Sequence, residues 1–263
     1  MFAFFNKGIK ASLLAGALAA VPTVANASTM LKADDFVGIS FWTISMAMVA
    51  ATVFFLMEAG RMSGKWKTSL TVGALVTLVA AVHYFYMRDV WASGGGTPTV
   101  YRYVDWLITV PLQVSEFYLI LAAVGVATAA LFWRLLGASL VMLITGFLAE
   151  SGQMDDGLTW PLFGVGMLAW IYIMYEIWAG EAKEKVSETS EGTQFAFKAM
   201  AIILTVGWAI YPLGWILGQD AGDTGIDRLN ILYNIADVVN KTAFGMMVWY
   251  AATMDTKASS SEE

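Results

Sequence analysis

The chain has 263 residues, of which 58% are hydrophobic and 14% charged, with a mean hydropathy of +0.64 and a formal net charge of −6. Such a composition excludes an ordinary soluble domain of this length, and the scattered basic residues exclude a nucleic-acid surface. Without cysteine, and with His83 as the lone histidine, the sequence also excludes a disulfide, a thiolate site and a histidine metal cluster.

What remains is an all-α, polytopic membrane protein: one transmembrane domain of seven spans, with no stretch left over for a soluble domain. Residues 1–27 place Lys7 and Lys10 ahead of an apolar run from Ala11 to Val21, followed by the small-x-small signal Ala25-Asn26-Ala27. This reads as a secretory signal peptide cleaved after Ala27; an additional membrane helix is the competing reading, weakened by an apolar run too short to span. The mature N-terminus then faces outside, and seven crossings bring the C-terminus to the cytoplasm.

Within a domain of residues 28–254, hydropathy predicts spans at 36–58, 68–90, 99–121, 125–149, 158–180, 194–218 and 228–254. The connections expected in the cytoplasm hold Arg61, Lys65, Lys67, Arg134, Lys183, Lys185 and, at a helix start, Lys198. The outer side has Lys32, Arg88 and Arg228. This asymmetry agrees with the positive-inside rule and with a cell (inner) membrane location.

The second span contains His83, about as deep from its outer end as Asp105 is from its own. A histidine–aspartate contact between helices is therefore possible, and a bond from His83 to a backbone carbonyl fits the sequence equally well. The following Ala92–Thr99 stretch is glycine-rich but lacks the Lys-Ser/Thr of a phosphate-binding loop, so it reads as an outer turn.

The third span, with Arg102-Tyr103-Val104-Asp105-Trp106-Leu107 and then Thr109, Pro111, Gln113 and Glu116, is the chemically dense one. At 100° per residue Asp105 and Glu116 lie within roughly 20° of one face, about 16 Å apart along the axis. An ionised carboxylate at mid-bilayer costs about 2.5–3.5 kcal/mol on the lenient insertion scale, which points to an ion or proton path. Structural hydrogen bonding of both acids is the plainer alternative.

The connection from Glu181 to Gly192 mixes both charge signs in a Ser/Thr background and reads as a solvated cytoplasmic loop. In the sixth span Trp208, Tyr211 and Trp215 form one aromatic stripe, and Pro212 should kink the helix. The seventh span places Asp237 and Lys241 four residues apart on one face, with Lys241 near mid-membrane and Asp237 about 6 Å nearer the outer surface. An ion pair alone would explain Lys241; so would a covalent cofactor held as a Schiff base, a chemistry suited to a desolvated lysine. Residues 255–263 read as a disordered cytoplasmic tail.

At these residues the chain resembles the microbial rhodopsins, and among them the blue-absorbing proteorhodopsins. The carriers are the third-span motif, Trp208-Ala209-Ile210-Tyr211-Pro212 and Ala236-Asp237-Val238-Val239-Asn240-Lys241. The resemblance implies all-trans retinal bound to Lys241 as a protonated Schiff base, Asp105 as primary counterion and proton acceptor, and Asp237 as second counterion. It further implies Glu116 as cytoplasmic proton donor and Arg102 and His83 as partners of Asp105. Trp106, Trp208, Tyr211 and Pro212 would line the retinal slot, with Gln113 at the colour-tuning position. Asp105, Thr109 and Glu116 match the proton-pumping pattern, whereas the family's sodium pumps carry Asn, Asp and Gln there.

One departure is the Glu58-Ala59-Gly60-Arg61 segment, where relatives have a denser charged cluster. The family also implies a homo-oligomer, a pentamer or hexamer, with Trp42 and His83 as cross-subunit contacts. The expected function is thus a light-driven outward proton pump, not an enzyme. A sensory photoreceptor with a slow photocycle, signalling to a partner, is the alternative; a non-pigmented transporter using Lys241 and Asp237 as an ion pair is a third.

Overall fold

The computed structural model describes residues 31–62, 64–94, 96–122, 125–218 and 222–260, so the expected signal peptide lies outside the described residues. These residues form a bundle of helices. The chain enters α1 (Phe36–Ala59), α2 (Gly64–Ala92), α3 (Thr99–Ala122), α4 (Ala129–Glu150) and α5 (Asp156–Trp178) in succession. A short α6 (Glu181–Val186) leads into α7 (Glu191–Ile202), which passes through a π turn at Ile203–Gly207 into α8 (Ile210–Gly218). The last crossing joins α9 (Gly222–Val238) to α10 (Phe244–Ser260) through a second π turn at Val239–Ala243.

Polar side chains start several of these helices by accepting otherwise orphaned backbone N–H groups. Asp35 accepts from Gly38 N at 2.8 Å, Thr128 from Leu131 N at 3.2 Å, Asp155 from Leu158 N at 3.1 Å and Ser190 from Thr193 N at 3.2 Å. Neighbouring helices pack in chain order, and α9 returns to α1, closing the ring.

Among the described residues, six helical stretches are long and apolar enough to cross a membrane: Phe36–Ala59, Trp66–Ala92, Thr99–Ala122, Ala129–Glu150, Gly157–Val186 and Glu191–Gly218. The seventh crossing is absent from that set, and its side chains explain why. Asn230, Asn234, Asp237, Asn240 and Lys241 lower its hydropathy, and all five are buried in the bundle instead of facing lipid. The protein is a multi-pass membrane protein whose last helix is polar on its inward side.

Three local expectations are revised. The segment expected as a solvated loop from Glu181 begins as helix α6, whose Ala182 and Val186, four residues apart, are buried against the core. The last helix continues to Ser260, so Asp255–Ser260 extend it beyond the expected end at 254. In the sixth crossing the irregularity precedes Pro212: the π turn ends at Gly207, and Ala209 is a turn residue one step before α8. The proline ring would clash with the carbonyl four residues back, at Trp208, so the distortion accumulates ahead of the proline.

Candidate functional site

Along α3, Arg102, Asp105, Trp106, Thr109, Gln113 and Glu116 are all buried on the inward face that their spacing defines. Lys241 meets this face from the π turn of the seventh crossing. Its Nζ donates to Asp105 Oδ2 at 2.7 Å and lies 3.0 Å from Asp237 Oδ2, four residues earlier on its own helix. A π turn widens the regular backbone ladder and is frequent at functional sites. Here the Asn240 carbonyl, within that turn, accepts a 3.0 Å bond from Gln113 Nε2.

The two acids are held very differently. Asp237 receives Tyr211 OH at 2.5 Å and Trp106 Nε1 at 3.3 Å on Oδ1, and Tyr84 OH at 2.8 Å on Oδ2, besides Lys241. Asp105 has Lys241 on Oδ2 and no hydrogen-bond partner on Oδ1 among the described residues. Thr109 Oγ1 donates to the Asp105 backbone carbonyl at 3.0 Å, bracing the helix and not the carboxylate.

Arg102, one turn from Asp105, is fully buried and donates from Nη2 to Asn234 Oδ1 at 2.8 Å and Asn230 Oδ1 at 3.0 Å. Its guanidinium also lies over the rings of Tyr233 at 5.4 Å and Phe41 at 5.5 Å. Nearly four turns along α3 from Arg102, Glu116 is 1% exposed, and neither carboxyl oxygen has a hydrogen-bond partner among the described residues. Ser69 of α2, also buried with an unpartnered hydroxyl, is beside it.

His83 makes no hydrogen bond to Asp105 among the described residues, although it is near enough to act on that carboxylate electrostatically. Its Nδ1 is 2.9 Å from the Val79 carbonyl of its own helix, and the inward position is taken by the next residue, the fully buried Tyr84, 100° further round. Tyr84, Asn230, Asn234 and Asn240 were not read from the sequence as site residues. A signal existed for the asparagines: residues 230, 234, 237 and 241 repeat at helical spacing and mark one polar stripe.

Trp106, Gln113, Trp208, Tyr211, Pro212 and Lys241 line a single cavity between the third and sixth crossings, closed further by residues of α4 and α5 such as Met142 and Trp170. The walls are apolar and largely aromatic, with one primary amine at the end where the acids sit. A long apolar molecule ending in a carbonyl carbon fits this donor set: the rings sandwich the body and the amine can condense with the end. Among the described residues no His, Cys, Asp and Glu group could hold a metal ion.

Comparison with known proteins adds independent support. A family model described as bacteriorhodopsin-like protein matches residues 35–254. The chain is 48% identical to a green-light absorbing proteorhodopsin of Gamma-proteobacterium EBAC31A08, over 94% of this chain and 99% of the relative. It is 49% identical to a blue-light absorbing proteorhodopsin of Gamma-proteobacterium Hot 75m4, over 94% and 98%. Among solved structures, the blue light-absorbing proteorhodopsin from Med12 superposes with a TM-score of 0.72 at 53% identity, covering 84% of this chain and all of that one.

Proposed function

The chain belongs to the bacteriorhodopsin-like family, and from that premise we propose that it moves protons from the cytoplasm to the outside with retinal held on Lys241. Bound there as a protonated Schiff base, retinal would supply a visible-absorbing polyene whose isomerisation by light changes the direction and basicity of the nitrogen. Trp106, Trp208, Tyr211 and Pro212 would hold it, and the aromatic walls would keep bulk water away.

The observation that carries the proposal is the unequal satisfaction of the two acids beside Lys241. Asp105 can take a proton on its unpartnered Oδ1 without losing a hydrogen bond, whereas Asp237 would give up Tyr211 and the Trp106 indole on Oδ1 or Tyr84 on Oδ2. Asp105 is therefore the acceptor and Asp237 the fixed counterion. Glu116, enclosed without a cation, suits a neutral acid that can give its proton and be reloaded from the other side. With the C-terminus in the cytoplasm, Asp105 and Arg102 lie outward of Lys241 and Glu116 lies inward, so acceptor and donor flank the amine along the transport direction.

Near-equal identity to green and blue relatives leaves the colour to the site. Gln113 places an amide in the cavity wall, and the reading is a blue-absorbing pigment. Trp42 and His83 remain the residues for subunit contact in a pentamer or hexamer.

The direct test supplies all-trans retinal to the expressed protein. A visible band should appear, borohydride in the light should fix the label to Lys241, and Lys241→Ala should stay colourless. Illuminated cells should acidify their medium, an effect abolished by an uncoupler. A coloured protein that cycles without acidification would instead be a sensory photoreceptor, and a protein that takes up no colour would end the pigment reading.

A further inference from the structure

One side chain in contact with both helical irregularities has no part in the mechanism above. Asn240 is 2% exposed and precedes Lys241 in the second π turn. Across from it is the first π turn, whose last residue is Gly207. A methyl group added at Gly207 would overlap Asn240 Oδ1, so the amide occupies the space that the missing side chain leaves. Asn240 Nδ2 donates to Tyr211 OH at 3.1 Å, and Tyr211 in turn donates to Asp237 at 2.5 Å.

The direction of these bonds is fixed by proton count. An ionised carboxylate only accepts, so the single phenolic proton of Tyr211 must point at Asp237, and its oxygen can receive only a donor. The amide nitrogen of Asn240, not its oxygen, must therefore face the phenol, which removes the usual ambiguity of an amide flip. A donor on the phenolic oxygen polarises its O–H and strengthens the bond onward to the acid. The same residue's backbone carbonyl holds Gln113 at 3.0 Å.

We propose that Asn240, seated against Gly207, is a positioning residue that acts through Tyr211 on Asp237 and ties the fixed counterion to the colour-setting side chain at position 113. This rests on the pigment reading of Lys241. The path from its side-chain amide to the fixed counterion runs through the Tyr211 hydroxyl, and that route makes it testable.

Absorption maxima of the retinal-loaded protein are compared for the parent, Asn240→Ala, Tyr211→Phe and the double variant, together with the phenolic C–O vibration in retinal-free protein. The expected result is a shifted maximum in each single variant and a double variant indistinguishable from Tyr211→Phe alone. The phenolic band should also move in Asn240→Ala before any retinal is added. Gly207→Ala leaves the amide chemically intact but displaces it, so it should reproduce the shift of Asn240→Ala and serves where that variant does not fold. Additive shifts in the double variant, or an unmoved phenolic band, would overturn the inference while leaving the pigment in place. A parent protein without colour would instead sink the pigment reading, and this inference with it.

Discussion

Buried polar atoms at this site divide into those with partners and those without, and the division separates roles that sequence alone leaves merged. Asp105 and Asp237 both read from the sequence as acids beside a lysine; only the geometry distinguishes the one with an open oxygen from the one held by four donors. Glu116→Gln keeps the shape of the buried side chain and removes its transferable proton. It should slow reloading about 100-fold or more under continuous light, with the visible band in place, as read by flash absorption and by medium acidification. Gln113→Leu removes the amide that bonds Asn240, and should move the absorption maximum to longer wavelength. Lys241, Asp105, Asp237 and the aromatic stripe were legible because charge and large rings in an apolar span are rare and helically spaced. For His83 the sequence left two bonds open, and the structure shows the one to a backbone carbonyl, beside a Tyr84 that turns inward to Asp237.

The first six crossings were legible from hydropathy to within a few residues, whereas the last runs six residues further at each end than expected and neither π turn was read. A π turn leaves no fixed residue signature in the sequence; here the two turns face each other, with the Asn240 amide in the space beside Gly207. Helix α6 was also missed, since Ala182 and Val186 are too small a signal among charges. Two ties at the same end of the bundle differ in weight. Asp255, 9% exposed at the end of α10, accepts from Trp66 Nε1 at 3.2 Å and Ser190 Oγ at 2.8 Å, joining the second, sixth and seventh crossings. Asp255→Ala orphans buried donors and should cost about 1–3 kcal/mol, read as an earlier midpoint in detergent denaturation. Arg134 bridges Glu176 and Glu181 at 2.7 Å each, but its side chain is 35% exposed. Screening by solvent should hold the cost of Arg134→Ala to about 1 kcal/mol or less in the same assay.

Taken whole, the ring of crossings leaves a broad lipid-facing surface on which Trp42, 40% exposed, packs edge-on to Phe85 and under the Arg88 guanidinium. If this is where subunits meet, Trp42→Ala should lower the assembly from a pentamer or hexamer toward monomer in native mass measurements, while the pigment still forms. Glu58 is engaged within the chain by Arg61 at 2.6 Å and Trp249 at 2.9 Å, so its carboxylate is already held by internal partners. The mature protein should begin at Ser28, which intact mass will check. The inward polar stripe of the final crossing has a consequence for biogenesis. Asp and Lys each cost about 2.5–3.5 kcal/mol at a lone helix's centre, so this helix is a poor candidate for unaided release from the translocon into lipid. It must wait for earlier crossings to offer Arg102, Tyr84 and Asp105 as partners, so the same contacts that prepare the site for light also govern whether the newborn chain finishes threading.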